Sequence, residues 1–220
     1  MNERLIKSKK RVKEHGEVFT PNWMVEKMLD LVKTETDDIY KTFLEPAAGD
    51  GNFLTAILKR KLEAVKQCYD KRYWQTKSLF ALASIYGIEI QKDNLQEARK
   101  AMLDLFTDFH IEISNEVKLI KAARYIVYEN IVWGDTLKKL CPDGTEIIFS
   151  EWKQVPNSAT KVERLPFTFA SLFDGEKSEY QIPKGQLQLS LFDDEKLEQV
   201  NKPLKYKIVD IKDVWKEELQ

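Results

Sequence analysis

A chain of 220 residues suffices for one domain with a sizeable core plus an appendage, and 43% apolar with 32% charged residues is an ordinary globular composition. No run approaches the ~18 apolar residues of a membrane span, and the first residues lack the apolar core of a signal peptide, so a cytoplasmic protein is expected. Cys68, Cys141, His15 and His110 are too few for a disulfide framework, a zinc site or a histidine metal cluster, and a net charge of -1 gives no global basic field toward nucleic acid.

Residues 1–15 are the exception in charge. Arg4, Lys7, Lys9, Lys10, Arg11 and Lys13 make a basic arm, suited either to touching phosphate backbone or to remaining a solvated terminus. Thr20-Pro21 then predicts an N-cap followed by proline at the first helical position, and Val25, Met28, Leu29 and Val32 predict an amphipathic helix over 21–34. A short strand at 42–45 leads into the glycine-rich turn "LEPAAGDGNFL" (44–54), and Leu54, Ile57, Leu58, Leu62 and Val65 mark the next helix. A second strand is expected at 85–90. Asp93 with Gln96 has the spacing of a capping box, opening a helix whose stripe is Leu95, Ala98, Met102 and Leu105. A third strand is expected within 125–135 and a fourth at 146–150, after which the periodicity weakens and the chain turns polar. Alternating strands and helices predict an α/β fold with a mainly parallel sheet. The expected domains are the arm at 1–15, a ligand-binding domain at 16–155, and an irregular extension at 156–220.

A glycine-rich turn between strand and helix cradles a ligand at the helix N-terminus, and phosphate is the usual one. A Walker-type loop needs Gly-Lys-Ser/Thr where this chain has Asn52-Phe53, and a dinucleotide fingerprint needs a glycine where it has Leu54. Glu45 and Asp50 would moreover repel a pyrophosphate. A ligand with an ammonium, a sulfonium, a ribose and an adenine, but no phosphate, suits these acids, which is S-adenosylmethionine. Glu89, ending the second strand, is placed to accept the ribose hydroxyls. Asp135, past the third strand, is placed to take the adenine amine.

These segments, in this order, resemble the adenine-specific DNA methyltransferases of restriction-modification systems, including those of phage and mobile elements. "GEVFTPNWMVEKML" is similar to their Phe-Thr-Pro segment, "FLEPAAGDGNFL" to their cofactor motif, "YGIEIQKDNLQEAR" to the second-strand acid with its helix, and "NIVWGDTL" to the third; together they cover roughly residues 14–150. The resemblance implies a Rossmann-like, S-adenosylmethionine-dependent methyltransferase fold, here truncated, with DNA as the partner. By it, Phe19, Thr20 and Pro21 fold over the methionine end. Glu45, Ala47, Gly49 and Gly51 hold the amino-acid part, with Asp50 and Phe53 in the same motif. Glu89 and Ile90 hold ribose and adenine, and Asp135 with Thr136 the adenine edge.

The family's Asn/Asp/Ser-Pro-Pro-Tyr/Phe signature, which binds and stacks on the flipped adenine, is absent, since no two of the seven prolines are adjacent. Where it should fall stands "EIIFSEWKQV", in which Ser150, Glu151 and Trp152 offer an acceptor and a ring, with Trp152 as a plain packing residue the competing possibility. The remaining chain is also short for the rest of a seven-stranded sheet plus a recognition domain. Two functions follow: a methyltransferase working through this trio or completed by a partner subunit, or a non-catalytic S-adenosylmethionine-binding module. In the tail, Gln188-Leu189-Ser190-Leu191-Phe192 resembles the pentapeptide by which bacterial replication and repair proteins dock on the sliding clamp; its alternation also fits an edge strand.

Overall fold

Two three-stranded sheets and seven α-helices are formed by residues 5–111, 116–173 and 205–216, the residues that the computed structural model describes. The first sheet is parallel: β1 (Phe43–Glu45) and β3 (Ile131–Trp133) flank β2 (Ile85–Glu89), with Leu44 opposite Tyr86 and Ile88 opposite Val132. All five residues of β2 are buried, as a strand covered on both faces must be. One face meets helix α4 (Asn52–Cys68), where Leu54 lies against Gly87; the other meets Ile147, Phe149 and Phe169 through Tyr86 and Ile88.

Helix α4 buries Leu54, Ile57, Leu58, Leu62 and Val65, the stripe its spacing predicts. It also buries Lys61 completely. The ammonium donates to the carbonyls of Asp38 and Lys41, each at 2.7 Å, so it ties down the loop before β1, and burial pushes its pKa down to about 7. Helices α5 (Trp74–Ala83), α6 (Lys92–His110) and α7 (Val117–Asn130) complete the layer, with Leu79, Ala98, Met102, Phe106, Leu119 and Ile126 among its fully buried residues.

Several sequence expectations are corrected. The helix expected at 21–34 is two helices, α2 (Asn22–Asp30) and α3 (Lys33–Asp37), because the apolar stripe runs out: Val25 and Leu29 are buried but Met28 and Val32 are exposed. Pro21, not Thr20, holds the cap position, its carbonyl accepting from Met24 and Val25 N–H. The Asp93–Gln96 capping box does not form; Gln91 is the N-cap without a side-chain bond, and Asp93 pairs instead with Arg11 and Lys7. Much of "YIVYENIVWGD" belongs to α7, where Ile126 and Val127 pack at helical spacing with Ala122 and Ala123, so tertiary burial overrides β propensity.

The fourth strand does not join the parallel sheet. Strand β4 (Ile148–Gln154) pairs antiparallel with β5 (Lys161–Thr168), and β5 with β6 (Val209–Asp210). The short connection allows only a hairpin, since a parallel return needs a crossover of a dozen residues or more. Residues 161–168 are therefore integral to the second sheet, not irregular. The basic arm is also partly folded. Helix α1 (Lys9–His15) is capped by Ser8, whose hydroxyl accepts from Arg11 N–H at 3.2 Å, and by Gly16 in the left-handed region. Its Arg11, with Lys7, is consumed in ion pairs to Asp93, Glu97 and Glu17. Among the described residues no helix is long and apolar enough to cross a membrane, and no group of His, Cys, Asp or Glu is arranged to hold a metal.

Candidate functional site

The parallel strands β1 and β2 end in acids, and these ends meet the glycine turn. Ala48 N–H donates to the Ile88 carbonyl at 2.9 Å, fastening the turn to β2, and Gly51 caps α4 in the left-handed region at φ 98°. A Cβ on Gly51 would stand 2.9 Å from the Ala98 Cα of α6, and one on Gly49, at φ 57°, would meet the Phe19 ring at 3.3 Å. Glycine is required at both for backbone conformation and, at Gly51, for the approach of two helices.

Glu89 is almost wholly buried behind this turn. One carboxylate oxygen accepts from Gly49 N–H and the other from Gln91 N–H, both at 2.7 Å. Burial raises its pKa in spite of these donors. Glu45, accepting from Ala47 N–H at 3.2 Å, and Asp50 are likewise raised by burial. Each carboxylate oxygen has a second lone pair for a ligand donor. Asp135 differs: it caps its own loop, accepting from Leu137 and Lys138 N–H, and these donors with the Lys138 ammonium hold its carboxyl below the usual range. Thr136 donates its hydroxyl to the Pro46 carbonyl, joining the loops after β1 and β3.

The N-terminal segment crosses the turn. Phe19 is buried, its N–H donating to the Leu5 carbonyl at 2.8 Å, and the Asn52 side chain donates to the Thr20 carbonyl at 3.2 Å, just before Pro21. Thus Phe19, Thr20, Glu45, Ala47, Gly49, Asp50, Gly51, Glu89, Ile90, Asp135 and Thr136 collect at one end of the parallel sheet, while Phe53 packs partly into the core. Behind Glu89 stands a brace that sequence reasoning missed. Asn94 donates to Glu17, which also accepts from Arg11, and Glu17 Oε1 and Asn94 Oδ1 are buried without a hydrogen-bond partner. Charge order along 1–17 signals the arm but not where it docks.

Ser150, Glu151 and Trp152 are not brought together. Side chains alternate along β4, so Ser150 and Trp152 face α7 and Glu151 faces the other way. Ser150 has no exposure; its hydroxyl accepts from Arg164 Nε at 2.8 Å. Trp152 Nε1 donates to Asn130 Oδ1 at 3.0 Å, and its ring meets Tyr125 edge-on. Glu151 instead borders a cleft of about 220 Å³ with Leu44, Tyr86, Phe149 and Phe167, toward the start of the parallel strands. The trio offers no open acceptor beside a stacking face. Gln188, Leu189, Ser190, Leu191 and Phe192 lie outside the described residues.

No protein-family model matches the chain, and neither a curated protein nor a solved structure matches it significantly. What the geometry defines is a class: an α/β protein whose three-stranded parallel sheet carries a glycine turn and two acids at its strand ends, Glu89 buried and Glu45 partly so.

Proposed function

We propose that this chain binds S-adenosylmethionine on a Rossmann-like half-domain related to the adenine-specific DNA methyltransferases, and that methylation of DNA requires a partner subunit. The observation that carries the proposal is the meeting of Glu45, Asp50 and Glu89 with the glycine turn. Acids whose charge is disfavoured by burial gain from ligand donors, and they repel phosphate. Glu89 takes the ribose hydroxyls and Asp135 the adenine amine. Glu45 and the turn hold the amino-acid end under Phe19, Thr20 and Pro21. Bound there, the cofactor would supply an electrophilic methyl group; the acceptor side must come from elsewhere, because Ser150 and Trp152 are sealed.

That sealing also favours the second reading, a non-catalytic S-adenosylmethionine-binding module. Calorimetry separates binding from its absence: a dissociation constant in the micromolar range, roughly -8 kcal/mol, is expected. Glu89→Gln and Glu89→Ala should each weaken binding by about 1–3 kcal/mol. No heat and no thermal shift with millimolar cofactor would sink both readings. Radiolabelled methyl transfer to mixed genomic DNA, with and without neighbouring gene products, then decides between them; transfer by the isolated chain at many turnovers per minute contradicts the need for a partner.

A further inference from the structure

Along one side of the molecule, α6 and α7 carry cations that rest on aromatic rings of α7, β3 and residue 215 instead of pairing with carboxylates. Lys92 Nζ lies 4.0 Å from the Trp133 ring centroid, and Lys121 Nζ lies 4.4 Å from that of Trp215. The guanidinium groups of Arg99 and Arg124 lie 4.3 Å and 5.4 Å from the Tyr128 centroid. These contacts join into one track. Lys121, Arg124 and Tyr128 are three and four residues apart on α7 and so share a face. Arg99 reaches across from α6, bonding the Ile131 carbonyl at 2.8 Å, and Lys92, two turns earlier on α6, meets Trp133 just beyond the end of α7.

The bordering acids are engaged elsewhere. Asp93 and Glu97 pair with Lys7, Glu129 with Arg164, and Asp213 with Lys118 and Lys216. On other faces Lys33, Arg60 and Lys138 each meet a carboxylate, and Lys27, Lys77 and Lys139 also rest on rings but with one cation at each, whereas here four cations share one run of rings. The four track cations have none within ion-pair distance among the described residues, so this face is locally positive on a chain of net charge -1. A cation held over a ring keeps its full charge and stays in place, whereas a carboxylate neighbour would cancel it. Tyr128 remains 40% exposed. Fixed cations with interleaved, partly open rings match a polynucleotide strand, whose phosphates take the cations and whose bases stack on the rings. An acidic peptide would use the cations and leave the rings idle.

We propose that this face binds single-stranded nucleic acid and leads it to Trp133, whose Nε1 donates to the Ile90 carbonyl at the ligand end of the parallel sheet. The proposal stands independently of the cofactor reading. Fluorescence anisotropy with labelled dT20 and U20, using the full chain at about 50 mM salt, should give dissociation constants of about 1–100 μM that weaken steeply with added salt. The dT20 and U20 arms show whether DNA or RNA is preferred. Lys121→Glu with Arg124→Glu should weaken binding at least tenfold, and Tyr128→Ala a few-fold. Lys121→Arg should bind as the wild type, and Lys9→Glu with Lys10→Glu, exposed on α1 and outside the track, should change binding less than twofold. Melting curves and an S-adenosylmethionine titration of the Lys121/Arg124 variant should match the wild type, so that loss of strand binding is read separately from misfolding or cofactor loss. Absence of binding to either strand, an equal loss in the Lys9/Lys10 variant, or equal affinity for a dA20·dT20 duplex overturns the proposal.

Discussion

His110 sits in the core with its Nε2 2.8 Å from the Ser78 hydroxyl and no partner for Nδ1. Burial, with Lys212 nearby, lowers its pKa from an ordinary 6.5 to about 4. The folded protein therefore keeps His110 neutral where the unfolded chain has already taken up a proton. Stability is full above about pH 6.5 and falls as pH drops toward 4, by at most about 3 kcal/mol from this residue. Urea unfolding at pH 7 and pH 4.5 should show the loss, and His110→Leu should reduce it. Ser78 still donates to the Gln75 carbonyl in that variant, so no hydroxyl is orphaned. An unchanged pH slope in His110→Leu would assign acid sensitivity to other groups. Lys61 titrates with the same sign in a higher window: stability gains as pH rises from about 7 toward 10.5, where the unfolded chain alone holds the proton.

At the scale of elements, β4 and the turn before α4 make contrasting demands. Trp152→Ala removes a buried indole and leaves Asn130 Oδ1 without its donor, so it should destabilise by about 3–5 kcal/mol in urea unfolding. A near-neutral result would mean that β4 is not packed on α7 as described. Two glycines test the turn. Gly16 ends α1 with nothing within 4 Å of an added Cβ, so Gly16→Ala should carry only the left-handed strain of about 1–2 kcal/mol. Gly51→Ala adds an overlap with the Ala98 backbone, raising the loss to about 2–5 kcal/mol. Equal losses would show that α6 yields at Ala98. If α6 stays put, Gly51→Ala should also weaken cofactor binding while Gly16→Ala leaves it unchanged.

The whole molecule joins a parallel sheet, with the proposed ligand site at its strand ends, to an antiparallel sheet that packs on it through Tyr86, Phe149 and Phe169. On the proposed function, in which DNA is the target, the tail motif at 188–192 is the candidate tether. A labelled peptide spanning 184–196 should bind a bacterial sliding clamp with micromolar affinity through apolar anchors Leu189, Leu191 and Phe192. Leu191→Ala with Phe192→Ala should abolish binding. If the double variant binds as well as the wild-type peptide, or neither binds, the tether is discarded.

Periodicity and turn chemistry made much legible before any coordinates. The stripe of α4, the strand at 85–89 and the glycine turn are local signals, carried by residues within one or two turns of each other, and each appears where the spacing puts it. The acids at 45, 50 and 89 were legible as a group because the strand ends of a parallel sheet, and the turn that follows the first of them, fall on one edge. Strand β5 was not: its inward positions are Val162, Arg164, Pro166 and Thr168, so burial alternates where hydrophobicity does not, and Arg164 is tolerated because Ser150, Tyr125 and Glu129 stand opposite it. Which partner a strand takes, and which carboxylate Lys7 and Arg11 find 80 residues away, are set by long-range packing. No local pattern encodes that choice, because it depends on surfaces that exist only once the chain has folded.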